Sequence, residues 1–315
     1  MARRNPLAFA TSSGHHGGFL FRLVPRLLIL VIVLLVVLVG VGGAVTYYVI
    51  TRQSGQEAVT PQSYLLSSYV PLNFTDRSGG EHEGWLLLGL RRAPVIILSH
   101  GYNSNRSDLL SLGAILRDNH YNVYVFNYHG PKAKESYSSL GPRQAADLLA
   151  AIDTVTRQPE VNSKRVGLFG ISVGAYASLV AAEGNPKVKA LVVDSVYPAP
   201  EQMFDLQIDD LLGGSSKLFR ALTEAEFRLT MLRTKWAPMS ANLPRLEGTP
   251  KLFIVGRDDP DTAALAQGVY GRTPEPKQLR VLEHSLAGLT SVGEKKDYEE
   301  LILNFFLQNL PLHAD

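Results

Sequence analysis

The sequence predicts an α/β fold, a mostly parallel sheet covered by helices, carried behind one N-terminal membrane-spanning helix. Three observations carry that expectation. Residues 27–50 hold no charged side chain and are apolar at almost every position. Farther along, short purely apolar runs alternate with segments apolar at helical spacing, the rhythm of buried strand and covering helix. Residues 165–182, RVGLFGISVGAYASLVAA, pass from an apolar strand through Gly170-Ile171-Ser172-Val173-Gly174 into an Ala-rich helix.

The chain divides into a basic N-terminal segment (1–26), the apolar helix (27–50), a polar juxtamembrane linker (51–68) and a soluble domain (69–315). At about 1.5 Å per residue the apolar run spans a hydrocarbon core of about 30 Å. Arg3, Arg4, Arg22 and Arg26 precede it and only Arg52 follows closely, so the N-terminus belongs in the cytoplasm and the domain outside. The run exceeds a usual signal-peptide core and no A-x-A site follows, which favours a retained single-pass anchor. Tyr47 and Tyr48 fit the exit interface. Gly40 and Ala44 are small residues four apart, a weak pattern for helix pairing that leaves oligomerisation open.

Thirty-one basic against 29 acidic residues leave no charge asymmetry suited to nucleic acid. The absence of cysteine removes disulfides, thiolate metal sites and a cysteine nucleophile. The histidines are scattered without an H-E-x-x-H pair, and no G-x-x-x-x-G-K-[ST] loop exists, so neither a metal nor a nucleotide cofactor is expected. Asn73 and Asn105 stand in glycosylation sequons that matter only in a eukaryotic secretory host.

Within the domain, residues 67–74 and 84–90 read as an opening pair of strands joined by the turn-rich stretch 76–80. Residues 94–99 form a strand buried on both faces, followed by His100-Gly101-Tyr102-Asn103-Ser104-Asn105 and a helix over 108–117. A strand over 123–127 leads into Tyr128-His129-Gly130. Next, Gly141-Pro142 opens a helix with Ala145, Leu148, Leu149 and Ile152 on its apolar face. Strands over 189–193, 251–255 and 278–282, a short helix over 262–270 and a closing helix over 292–308 complete the rhythm. Residues 196–248 break it and are a candidate cap with an apolar inner wall.

A serine centred in G-x-S-x-G sits on a sharp strand-to-helix turn that exposes its hydroxyl at the carboxyl end of a sheet. On this GISVG turn and the SHGYNSN turn, the chain resembles the α/β-hydrolase superfamily, and within it the membrane-anchored serine hydrolases, over residues 71–310. The resemblance implies an α/β-hydrolase fold with Ser172 as nucleophile on an elbow shaped by Gly170 and Gly174. It further implies Asp259 as the acid of a G-x-x-D loop, His284 as base, and the Tyr102 and Val173 amides as the oxyanion hole. Ala175 stands where relatives usually carry a further glycine. Asp258 and Asp261 are alternatives to Asp259. His284 follows the last strand immediately, whereas the family's register puts the histidine nearer position 286, which Leu286 occupies. His100 is expected to shape its loop by hydrogen bonding, His129 to be a structural variant, and Asn103 and Asn105 to form turns or line the pocket.

These parts describe a cofactor-free ester hydrolase anchored to a membrane, acting through an acyl-enzyme on a small acyl ester or lipid-like substrate. Serine peptidase and thioesterase chemistry use the same parts. A catalytically impaired, membrane-tethered binding module of the same fold is the rival of a different class.

Overall fold

The computed structural model describes residues 17–52, 57–66, 68–128, 137–214, 216–232, 239 and 243–313; His129 and Trp236 lie outside them. Its first element is helix α1 (Gly17–Thr51), whose stretch Val24–Thr51 has mean hydropathy 3.2 and is long and apolar enough to cross a membrane. The C-terminal turns of this helix pack on the domain. Leu38 is partly covered, and Gly42, Thr46, Val49 and Ile50 are buried by the domain. Ile50 accepts a hydrogen bond from the Ser138 amide at 2.7 Å.

Ten strands follow among the described residues: β1 (Tyr69–Pro71), β2 (Phe74–Thr75), β3 (Glu81–His82), β4 (Gly84–Leu87), β5 (Ala93–Ser99), β6 (Asn122–Phe126), β7 (Val161–Ile171), β8 (Val188–Asp194), β9 (Lys251–Gly256) and β10 (Lys277–Leu282). Eight form one sheet in the order β1-β4-β6-β5-β7-β8-β9-β10. From β6 to β10 it is parallel, and β4 and β1 add an antiparallel edge. The expected α/β architecture with a mostly parallel sheet is therefore the observed one. β5 is buried at every residue because β6 and β7 flank it and helices cover both faces, which is why its sequence lacks alternation.

One face carries α3 (Pro142–Val155) and α4 (Val173–Ala182), packed through Leu148, Ile152, Ala175 and Leu179. The other carries α2 (Leu110–Asp118) and the closing helix α8 (Val292–Asn309), packed through Leu116, Tyr298, Ile302 and Phe306. The region between β8 and β9 supplies α5 (Pro200–Leu212) and α6 (Lys217–Met231), which meet through stacked Phe204 and Phe227 rings 4.5 Å apart. Helix α7 (Pro260–Arg272) follows β9.

The opening strands differ from their expected form. Rather than one continuous hairpin, β1 pairs with β4 and the separate pair β2–β3 folds over α3. Asp76 causes the break: its Oδ1 accepts from the amides of Ser78 and Gly80 and from the Ser78 hydroxyl, a local turn that competes with a strand ladder.

Candidate active site

Parallel register brings the carboxyl ends of four strands into line: Ser99 pairs with Gly170, Ile171 with Asp194, and Asp194 with Ile254. Loops leaving that edge converge on one cavity of about 800 Å³. Ser172 lies on its wall at φ 52° and ψ −115°, a left-handed, non-glycine conformation of the kind a sharp elbow imposes. The turn is locked on both sides, because the Ser172 amide donates to the Asp194 carbonyl at 2.9 Å and its own carbonyl starts α4. The elbow tolerates no side chain at its glycines. A Cβ on Gly170 would collide with the Gly174 carbonyl oxygen, and one on Gly174 with the Ser99 carbonyl oxygen. Ala175, by contrast, is fully buried without difficulty.

The turn after β5 presses against this elbow, and a Cβ built on Gly101 would lie 3.6 Å from that of Ser172. His100 shapes it. The Tyr128 amide donates to His100 Nε2 at 3.2 Å, which leaves Nδ1–H to donate to the Gly101 carbonyl at 2.9 Å. Asn103 takes a left-handed φ of 52°, and Asn105 caps the next turn by accepting from the Ser107 amide at 2.9 Å. Tyr102 lines the cavity and also reaches the end of α1. Its hydroxyl donates to the Val49 carbonyl of α1 at 2.7 Å, and burial pushes its pKa up to about 12. Among the described residues neither the Tyr102 amide nor the Val173 amide has a hydrogen-bond acceptor, so both expected oxyanion donors are unspent.

The acid side of the site departs from expectation. Asp259 does line the cavity, but its Oδ1 accepts from the Thr262 amide at 3.0 Å and caps α7. Its neighbour Asp258 reaches the histidine loop instead, accepting from the Ser285 amide at 3.1 Å. Fully buried Asp194 holds the next residue, accepting from the Leu286 amide at 3.1 Å and the Tyr298 hydroxyl at 2.6 Å. Burial raises the Asp194 pKa against those hydrogen bonds.

Of the three expected catalytic residues, Ser172 and Asp259 line the cavity and His284 does not. Ser285 and Leu286 line the cavity there, as the early register of the histidine foreshadows. His284 Nδ1 lies 3.1 Å from Glu294 Oε1 on the first turn of α8, not on Asp259. Glu294 Oε2 accepts from the Ser291 hydroxyl at 2.8 Å, and this bond first, then His284, holds its pKa below the ordinary carboxylate value. Ser172 Oγ meets the Met203 sulfur of α5 at 3.9 Å. Sequence reasoning missed Glu294 because Ser291-x-x-Glu294 is also a helix-capping pattern, and the box does form. It missed Met203 because no spacing rule says which cap residue covers an elbow.

Among the described residues one cluster has metal-ligand chemistry. Asp76, His82 and Asp147 bring ligand atoms within 4.8 Å of one another, away from the residues around Ser172. His82 Nε2 lies 3.2 Å from Asp76 and 3.8 Å from Asp147, so the group is already cross-linked by its own polar contacts.

No family model matches the chain. It is 26% identical over 251 residues to the uncharacterized protein YfhR of Escherichia coli O157:H7, covering 76% of this chain and 81% of that protein. It is 24% identical over 141 residues to the thiohydrolase aneE of Aspergillus aculeatus, covering 44% of each, so the chain spans less than half of that relative. Among solved structures, an esterase of Pyrococcus furiosus superposes with TM-score 0.66 at 18% identity over 83% of this chain and 98% of the esterase, a likeness of fold.

Proposed function

We propose that this chain, which has the α/β-hydrolase fold, is a membrane-anchored serine hydrolase that cleaves carboxylic esters through an acyl-enzyme. The observation that carries the reading is Ser172 at φ 52° on the wall of the 800 Å³ cavity, beside two amides with no acceptor. Ester oxygen would sit on the Tyr102 and Val173 amides, which need no reorganisation to receive negative charge. Ser172 Oγ would attack the acyl carbon and give its proton to His284, which would pass it to the alcohol oxygen as the ester C–O bond breaks and the alcohol leaves. His284 would then take a proton from water as that water attacks the acyl carbon, and return it to Ser172 Oγ as the free acid departs. The esterase and thiohydrolase named above support acyl transfer as the chemistry.

In this reading the carboxylate that orients His284 is Glu294. It engages Nδ1 and leaves Nε2 for the serine, the tautomer a general base needs. Proton transfer then requires the loop between β10 and α8 to carry the imidazole to the cavity. The apolar wall made by Met203, Leu206 and Leu286 suits an acyl chain. The helix α1, apolar over the length of a bilayer, is the anchor.

One observation favours a second reading. With Leu286 on the wall and His284 on Glu294, the cavity suits a binding module that holds acyl compounds without turning them over. A fluorophosphonate probe separates the two. The hydrolase reading expects labelling at Ser172, lost in Ser172→Ala together with hydrolysis of short acyl esters. An intact, folded chain that neither labels nor hydrolyses them would leave the binding module standing.

A further inference from the structure

The last turns of α1 are shared between its outer surface and the protein. Leu38, Gly42, Val45, Thr46 and Val49, spaced at helical intervals, form the one face the domain covers. Much of that cover is α6. Thr46 Oγ1 donates to the Thr223 carbonyl at 3.5 Å and to the Glu226 carboxylate at 3.4 Å, and a Cβ on Gly42 would lie 2.9 Å from Glu226 Oε2. These contacts run in opposite directions: moving back along α1 from Thr46 to Gly42 moves forward along α6 from Thr223 to Glu226. The C-terminal turns of α6 therefore run beside α1 toward its apolar, uncovered part.

Length then sets depth. Counting from Arg26, the last charged residue before the apolar run, about 20 residues cross a core of about 30 Å, which reaches about Thr46. Leu38, Gly42, Val45 and Thr46 fall inside that length and already lie against the domain. Tyr47 and Tyr48 follow, both exposed, where interfacial aromatics belong. The stretch of α6 from Thr223 onward is thus at hydrocarbon depth, where Ala225, Leu229 and Leu232 form an uncovered apolar stripe beside exposed Arg228 and Thr230, and the Thr230 hydroxyl donates to the Phe227 carbonyl at 2.7 Å. Leu229 is 65% and Leu232 76% exposed, with exposed Ala225 on the same stripe, while Phe227 and Met231 turn inward. Arg228 borders the stripe, but its guanidinium pairs with Glu224 and Glu201, and its long stem allows the charge to reach headgroups.

We infer that the C-terminal turns of α6 are immersed in the acyl-chain region of the bilayer, in the leaflet that α1 leaves at its C-terminal end. This rests on the reading that α1 spans the membrane. It deepens the proposed function, because α6 stacks on α5, and α5 lends Met203 and Leu206 to the cavity beside Ser172. A cap seated in lipid puts an ester-bearing amphipathic lipid, rather than a water-soluble ester, within reach of that cavity.

The chain has no cysteine, so single cysteines can be placed and labelled without background. Leu34→Cys on α1, Leu229→Cys on α6 and Lys164→Cys at the amino end of the sheet are all exposed positions. Each full-length variant is labelled with bimane and reconstituted into phosphatidylcholine nanodiscs containing lipid with a nitroxide on its acyl chain. Labels at 34 and 229 should lose at least half their fluorescence to the nitroxide lipid and resist aqueous iodide, whereas the label at 164 should respond to iodide alone. Quenching by nitroxide lipid at 34 with only iodide quenching at 229 overturns the inference and leaves the anchor intact. Absence of lipid quenching at both 34 and 229 overturns the anchor and the inference with it.

Discussion

The carboxylate that holds an imidazole decides which of its nitrogens is left to take a serine proton. Glu294 holds Nδ1 of His284, while Asp259 is engaged with the Thr262 amide. If Glu294 orients the base, Glu294→Gln should lower kcat on a short acyl ester by more than tenfold with KM little changed. Asp259→Asn should leave kcat within about threefold and cost at most about 1 kcal/mol of stability, since asparagine also caps helices. Steady-state kinetics on the two variants decides: a large loss confined to Asp259→Asn would restore the assignment read from G-x-x-D. The serine was legible because a strained elbow needs glycines at fixed offsets. The carboxylate that meets His284 was not, because Glu294 lies in a helix-capping pattern and nothing in that spacing marks it as the histidine's partner.

At the scale of elements, the elbow between β7 and α4 and the β2–β3 pair over α3 respond differently to change. Gly174→Ala drives a methyl group into the Ser99 carbonyl where the strand and helix backbones meet, so neither side can yield cheaply. We expect a loss on the order of 3 kcal/mol, read as a lower urea midpoint; a midpoint within error of the parent would show that the elbow can relax. The β2–β3 pair answers to pH. Asp147 on α3 faces His82, Asp76 and Arg143. Burial above all, opposed by His82 and Arg143 and reinforced by Asp76, raises its pKa from 3.8 to about 7. A raised carboxyl binds its proton more tightly when folded, so its contribution to stability falls as pH rises from about 4 to about 7. Asp76 works the other way. Burial is outweighed by its hydrogen bonds, its pKa drops to about 2, and its stabilisation is lost only below about pH 4. Asp147→Asn should therefore gain on the parent between pH 4 and pH 8, by a few degrees in Tm, and a constant difference across that range would rule out the buried carboxyl as the cause. The helical spacing of α3 correctly gave its sheet-facing side. Of its polar residues, Gln144 is buried on Ser138 and Ser139 and Asp147 is partly covered by His82 of the β2–β3 pair, contacts that leave no mark in the helix's own periodicity.

Taken as a whole, the molecule joins helix α1 to the cavity beside Ser172 more directly than the sequence suggests. An all-apolar helix followed by polar residues reads as a span and a linker, since a helix apolar all round carries no mark of which face meets protein and which meets lipid. The structure instead buries Val49 and Ile50 in the same core cluster as the helices beside the elbow, and gives the Tyr102 hydroxyl its acceptor on Val49. The strands of the parallel sheet were legible because each strand's apolar run is local, whereas the α1 contacts join residues more than fifty positions apart. A fragment beginning at Gln56, which the linker reading expects to fold unaided, would lose both buried side chains and free the ring that backs the oxyanion turn. At roughly 1.5–3 kcal/mol for each buried aliphatic side chain, it should be about 3–5 kcal/mol less stable than a fragment beginning at Leu38, with both measured in the same detergent. Ester hydrolysis should fall in parallel, because a loosened Tyr102 no longer fixes the amide next to Ser172. Equal urea midpoints for the two fragments would show that the end of α1 rests on the domain without supporting it, and the polar stretch after it would then be the free linker its composition describes.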